Sequence, residues 1–205
     1  MERTLFCAVA IDDVRDVFRA DADLAARLRA IAAEAFGPAT PTRRGWLGPL
    51  TKRHRPTEVD PSVPSKQDVQ ALLTGAYVPP DRLRQGWILL NLWLTSLSRA
   101  STAVALDTDG WVAVEWELAR AGLNSDYAVR SLFDRPLGLP LPPLPGQVAG
   151  YAKHVHAVET LEALAEAAPR ADLAAEGRDA VAAVVEVLRV AAEHGLDLVV
   201  VGAPA

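Results

Sequence analysis

The longest apolar stretch in the chain runs from Trp87 to Leu94, where only Asn91 is polar. A segment greasy on every side must be surrounded by other elements, which predicts a central core helix over Asp81–Ser98. Pro79 and Pro80 set its approach, and Asp81 is placed to cap the first turn. The segment falls short of the roughly 20 apolar residues that a bilayer span needs.

Shorter patterns predict the remaining elements. Leu5 to Ile11 (LFCAVAI) is an apolar run of strand length, which makes Cys7 a small buried hydrophobe. Val14, Val17 and Phe18 fit a short helix capped by Asp12 or Asp13. Leu24, Leu28, Ile31 and Ala35 recur at helical spacing behind Asp21 or Asp23, up to Gly37-Pro38. Ser65 opens a helix that Gly75 closes. Ser98 to Ala105 suits a turn and a short strand. Residues 111–121 fit a strand through Val112, Val114 and Trp116, or a helix through Trp111, Val114, Leu118 and Ala121. Asp107 or Thr108 as cap and Gly122 as stop favour the helix. Ser125 opens a short helix with Val129, Leu132 and Phe133 turned inward. Residues 147–153 (QVAGYAK) read as a strand. Two helices follow, with stripes Val158, Leu161, Leu164, Ala165, Ala168 and Val181, Val184, Val185, Leu188, Ala192. Leu198 to Val201 (LVVV) is apolar throughout and must be a covered, central strand. The N-terminal, 147–153 and C-terminal strands together predict an α+β, helix-rich single domain over 1–205, with a small mixed sheet of about three or four strands.

Two stretches break the periodicity. Residues 38–65 carry six prolines and no repeat of either period, and so form an irregular arm. Within it Arg43, Arg44, Lys52, Arg53 and Arg55 have no acid among them. The arm reads either as a solvated surface segment or as a binding loop, with Arg43, Arg44, Trp46, Arg53 and Arg55 meeting an acidic protein partner or an anionic small ligand. Residues 136–145 (PLGLPLPPLP) hold five of the fifteen prolines and are barred from helix and central strand. The P-x-x-P spacing matches an SH3 ligand. The interleaved Leu137, Leu139, Leu141 and Leu144 favour a connector packed on the core.

Composition narrows the class. Half the residues are hydrophobic and the net charge is −5, which argues against wholesale nucleic-acid binding. With one cysteine there is no internal disulfide, and the first residues lack a signal peptide, so a cytoplasmic location is expected. The Ala, Arg and Val richness suggests a bacterial source. The basic arm contrasts with residues 157–205, which hold nine acids and three basic residues, a split that can steer a partner or drive homo-oligomer formation.

The ending EHGLDLVVVGA after an alanine-rich helix, the VAGYAK strand behind a proline stretch and the early DDVRDVF resemble the YfbM-like family of small bacterial proteins. The likeness covers the two ends of the chain. It implies no settled activity and no catalytic residue to carry over.

Candidate chemistry is sparse. There is no P-loop, dinucleotide fingerprint, nucleophile elbow, H-E-x-x-H or C-x-x-C. No cofactor is called for. His154 and His156, two apart, would share one face of a strand and could reach a metal with Glu159. The bland alternative is two half-exposed histidines at a strand-to-helix junction. Asp107 and Asp109, near Glu115 and Glu117, could form an acid/base pair, although capping explains them as well. Trp111 and Trp116 beside them suit a ligand pocket or the core. The best reading is a non-catalytic binding or accessory factor of immunity type. The alternative is a small-molecule enzyme, its pocket near His154/His156 or Asp107/Asp109, acting on an anionic substrate.

Overall fold

The computed structural model of the protein describes residues 3–37 and 62–202. Residues 38–61 lie outside the described residues, and with them the proposed binding residues Arg43, Arg44, Trp46, Arg53 and Arg55. The rest is α+β.

The described residues form one sheet with strand order β2-β1-β5-β4-β3. The strands are β1 (Thr4–Ala8), β2 (Ala100–Val104), β3 (Arg135–Pro136), β4 (Ala149–Ala152) and β5 (Leu198–Gly202). The terminal strands are neighbours, with Thr4 opposite Gly202 and Ala8 opposite Leu198. The sheet has five strands and is antiparallel throughout, not mixed. Among the described residues, even numbers of helices separate these neighbouring antiparallel strands. Four lie between β1 and β2: α1 (Ile11–Asp16), α2 (Ala22–Phe36), α3 (Lys66–Leu73) and α4 (Leu83–Leu97). A pair lies between β4 and β5: α6 (His154–Ala167) and α7 (Ala175–His194). In each case the chain returns to the end of the sheet it left. The remaining helix, α5 (Thr108–Arg120), follows β2.

Alternation along the strands gives the sheet two apolar faces. Cys7, Tyr151, Val199 and Val201 face a core built with α1 to α4. Phe6, Ala8, Leu198 and Val200 face a second core built with α5 to α7. The predicted central helix is therefore the middle of one layer. Trp93 donates its indole N–H to the Leu28 carbonyl at 3.0 Å, and Trp87 donates to Pro142 at 2.9 Å. Leu89, Leu90, Trp93 and Leu94 are fully buried. Thr95 and Ser96 are exposed, and Ile88 and Leu92 are half-buried. Asp81 does not cap this helix. It sits in a 3-10 turn over Pro80–Arg82 that precedes α4. The proline stretch is a packed connector: Leu137 and Leu141 are buried in the α1–α4 core. A side chain at Gly86 would meet Leu141 Cδ1 at 2.9 Å, so α4 approaches the connector as closely as glycine permits.

Local caps follow the sequence. Asp21 accepts the Leu24 N–H at 2.8 Å, and Asp107 accepts that of Gly110 at 2.8 Å. Gly195 ends α7 in the left-handed region, at φ 67°. The segment after Ser125 forms 3-10 turns, not an α-helix. Neither α1 nor α6 has a cap from its own neighbourhood. Both use Asp197, the residue before β5. Its carboxylate accepts the Ile11 N–H and the His154 N–H, each at 3.0 Å, with Lys153 Nζ at 3.5 Å. Two positive helix ends thus share one buried negative charge.

Asp68 does comparable work within the α1–α4 layer. In the capping box of α3 it accepts the Ser65 N–H at 2.7 Å, and Arg82 Nε donates to it at 2.9 Å. Arg82 Nη2 makes a second, shorter bond to the same carboxylate. Among the described residues no helix is long and apolar enough to cross a membrane.

Two outcomes follow from this architecture. Leu90→Ala should cost about 2–5 kcal/mol in urea unfolding, because Leu90 is fully buried. A loss below about 0.5 kcal/mol would refute its core role. Burial on its own would raise the Asp68 pKa, but hydrogen bonds from Arg82 and Ser65 outweigh it and hold the carboxyl below its usual value. That stabilisation is present above the unfolded carboxylate pKa of about 3.9, and it is lost as pH falls through the folded value. Asp68→Asn should therefore be less stable than the parent at pH 7, with the gap closing below about pH 4. Urea midpoints measured from pH 7 to pH 3 check this, and a constant gap would count against it.

Candidate functional site

Of the four exposed large hydrophobic side chains among the described residues, Val112 and Trp116 lie together on α5, while Tyr77 and Val155 lie on other segments. The helix runs from the Asp107 cap to Arg120, and Gly122 follows with φ 99°. Val114 and Leu118 are its buried line. A side chain at Gly177 would meet Val114 Cγ2 at 2.7 Å, so α5 rests directly on the first turns of α7.

One flank of α5 borders a cavity of about 270 Å³ lined by Phe6, Trp111, Val129, Phe133 and Val148, with Glu115 and Arg130 among its walls. The Phe6 and Trp111 rings lie 6.0 Å apart at 57°. Glu115 accepts the backbone N–H of Arg130 at 2.8 Å and pairs with its guanidinium at 3.3 Å. It thereby ties the 3-10 turn Val129–Phe133 to the helix. The other flank borders a cavity of about 290 Å³, with Glu117, Asp172 and Glu176 in its lining. Their sharing one cavity lining does not make them a metal centre. Among the described residues no group of three or more His, Cys, Asp and Glu could hold a metal ion.

The outer face carries the anomaly. Val112 is 62% exposed and Trp116 is 66% exposed. Of the other described tryptophans, Trp87 and Trp93 are buried and Trp111 is half-buried. Trp111 and Trp116 are five residues apart, about 140° around a helix, so one turns to the core side and the other to solvent.

The remaining sequence candidates stay apart. His154 and His156 lie on the first turn of α6, not on a strand. Two residues apart on a helix they point about 160° away from each other. His156 Nε2 is 3.1 Å from Ser131 Oγ and its ring lies 5.9 Å from that of Tyr127. His154 is anchored through its backbone to Asp197, and Glu159 is exposed. Asp107 is occupied as a cap, and Asp109 is exposed in the first turn. Glu117 pairs with Arg120 at 3.2 Å. Cys7 is buried, which pushes its thiol up to about 11 despite a hydrogen bond with Ser98 that lowers it.

Sequence reasoning missed Arg130, and it missed Asp197 although an acid just before an all-apolar strand was a visible signal. Of the two tryptophans proposed as pocket lining, Trp111 borders a cavity, while Trp116 does not. The chain matches no family model, no curated protein and no solved structure.

A thiol with a pKa near 11 is protonated at neutral pH and is shielded by the sheet. Cys7 should resist iodoacetamide in the native protein at pH 7.5 and react with one equivalent once unfolded in guanidinium. Rapid labelling of the folded chain, read by mass spectrometry, would contradict the placement.

Proposed function

We propose that the protein is a non-catalytic binding or accessory factor whose recognition element is the outer face of α5. The observation that carries this reading is the exposure of Trp116 beside Val112 on a regular, capped helix. Leaving such side chains in water forgoes about 1.5–3 kcal/mol of burial for a residue of Val or Leu size. A contiguous apolar patch rimmed by charge marks an interaction site, and tryptophan is enriched where interfaces hold their energy. Glu117 and Arg120 supply that charged rim.

The enzymatic alternative has less behind it. Asp107 is engaged with the α5 backbone, His156 with Ser131 and Glu115 with Arg130. The cavity beside Trp111 supports only a small, largely apolar ligand. The likeness to the YfbM-like proteins adds no site residue to either reading.

The test uses co-expression with the products of the adjacent genes. The parent is expected to co-elute with one of them. Val112→Ser combined with Trp116→Ala should weaken that complex by about 2 kcal/mol or more, roughly 30-fold, while the melting curve is unchanged. A double variant that keeps every interaction of the parent would overturn the reading.

A further inference from the structure

We infer that the outer face of α5 docks on the same face of a second copy of this chain, with the two helices antiparallel. This rests on the reading of that face as the recognition element and names one occupant for it.

The inference comes from the order of side chains along the helix. Asp109, Val112, Ala113, Trp116, Ala119 and Arg120 are all exposed. At 100° per residue they fall within about 120° of one another, a continuous outward stripe with Trp116 near its middle. The stripe is self-complementary under a two-fold axis between positions 114 and 115. Antiparallel pairing about that axis sets Asp109 opposite Arg120 of the second copy and Arg120 opposite its Asp109. The same operation sets Trp116 opposite Ala113, a small residue that leaves room for an indole, with Val112 beside it. Ala119, exposed near one end of the stripe, adds no bulk that would hold the backbones apart. A parallel arrangement would instead put Asp109 against Asp109 and Arg120 against Arg120, so charge selects the antiparallel one.

The contact is one helix face and so lies at the small end of specific interfaces. The expected dissociation constant is on the order of 10 µM, set mainly by burial of the two indoles. Salt should weaken the dimer only moderately, because the ion pairs lie at its rim.

Sedimentation equilibrium on the purified chain, from about 1 to 500 µM, reads the outcome. The parent should pass from monomer to dimer across this range. Trp116→Ala should remain monomeric. Asp109→Arg and Arg120→Asp each place two like-charge pairs across the axis, and each should weaken self-association at least tenfold. An equimolar mixture of these two variants restores both opposite-charge pairs and should form a heterodimer near the parent affinity. Thermal melts confirm that the variants are folded. The inference is overturned if the parent stays monomeric to 500 µM, if Trp116→Ala still dimerises, or if the mixed variants fail to associate. A monomeric parent removes the second copy as the occupant and leaves the binding reading to the co-expression experiment, so the two failures are distinct.

Discussion

Strand β5 imposes the main constraint on this fold. All five of its residues are buried, and its side chains alternate between two cores. A strand apolar on both faces needs a layer on each side and a neighbour at each edge. β1 and β4 supply the neighbours. The helices then divide into two layers because one layer can cover only one face. Asp197, at the head of β5, ties the layers together: its carboxylate holds the first N–H of α1 on one side and of α6 on the other. The backbone carbonyl of the same residue accepts the Val9 N–H at 3.0 Å. The point where three segments leave or enter the sheet is thus organised around one acid.

What was legible in the sequence is mostly what is local. Asp21, Ser65 and Asp107 cap helices a few residues away, and the helix over 111–121 was recoverable from Asp107 and Gly122. The Asp197 cap of α1 spans 186 residues, and no window contains both ends of such a contact. The helical stripes were found with small errors of phase. In α6 the buried line is Ala157, Thr160, Leu164 and Ala167, which shares only Leu164 with the predicted Val158, Leu161, Leu164, Ala165 and Ala168. An alanine-rich helix offers apolar residues on several sides, and tertiary packing decides which side is covered. α4 shows the converse. Its nearly unbroken apolar run suggested cover on all sides, yet Thr95 and Ser96 mark a solvent side.

The histidine pair shows how much depends on the period assumed. On a strand, His154 and His156 converge; on a helix, they diverge. β4 ends at Ala152, and the capping contact from Asp197 starts α6 two residues later. The long-range cap therefore decides a question of local chemistry. The same logic separates Trp111 from Trp116. Once the segment is helical, one indole must help wall a cavity while the other faces water.

The exposure of Trp116 belongs to a well-held element. α5 is capped at its start, rests on Gly177 without an intervening side chain and is tied by Glu115 to the turn at Arg130. A helix fixed at three points presents its outer residues in a settled arrangement. Docking on it orders little backbone, and the entropic cost of binding falls mainly on a few side chains. Val112 is β-branched and tryptophan has two rotatable side-chain bonds, so that cost is also small. A mobile loop with the same two residues would lose more on binding than their burial returns. The features that stabilise α5 on the domain are therefore the ones that would lower the cost of the proposed recognition.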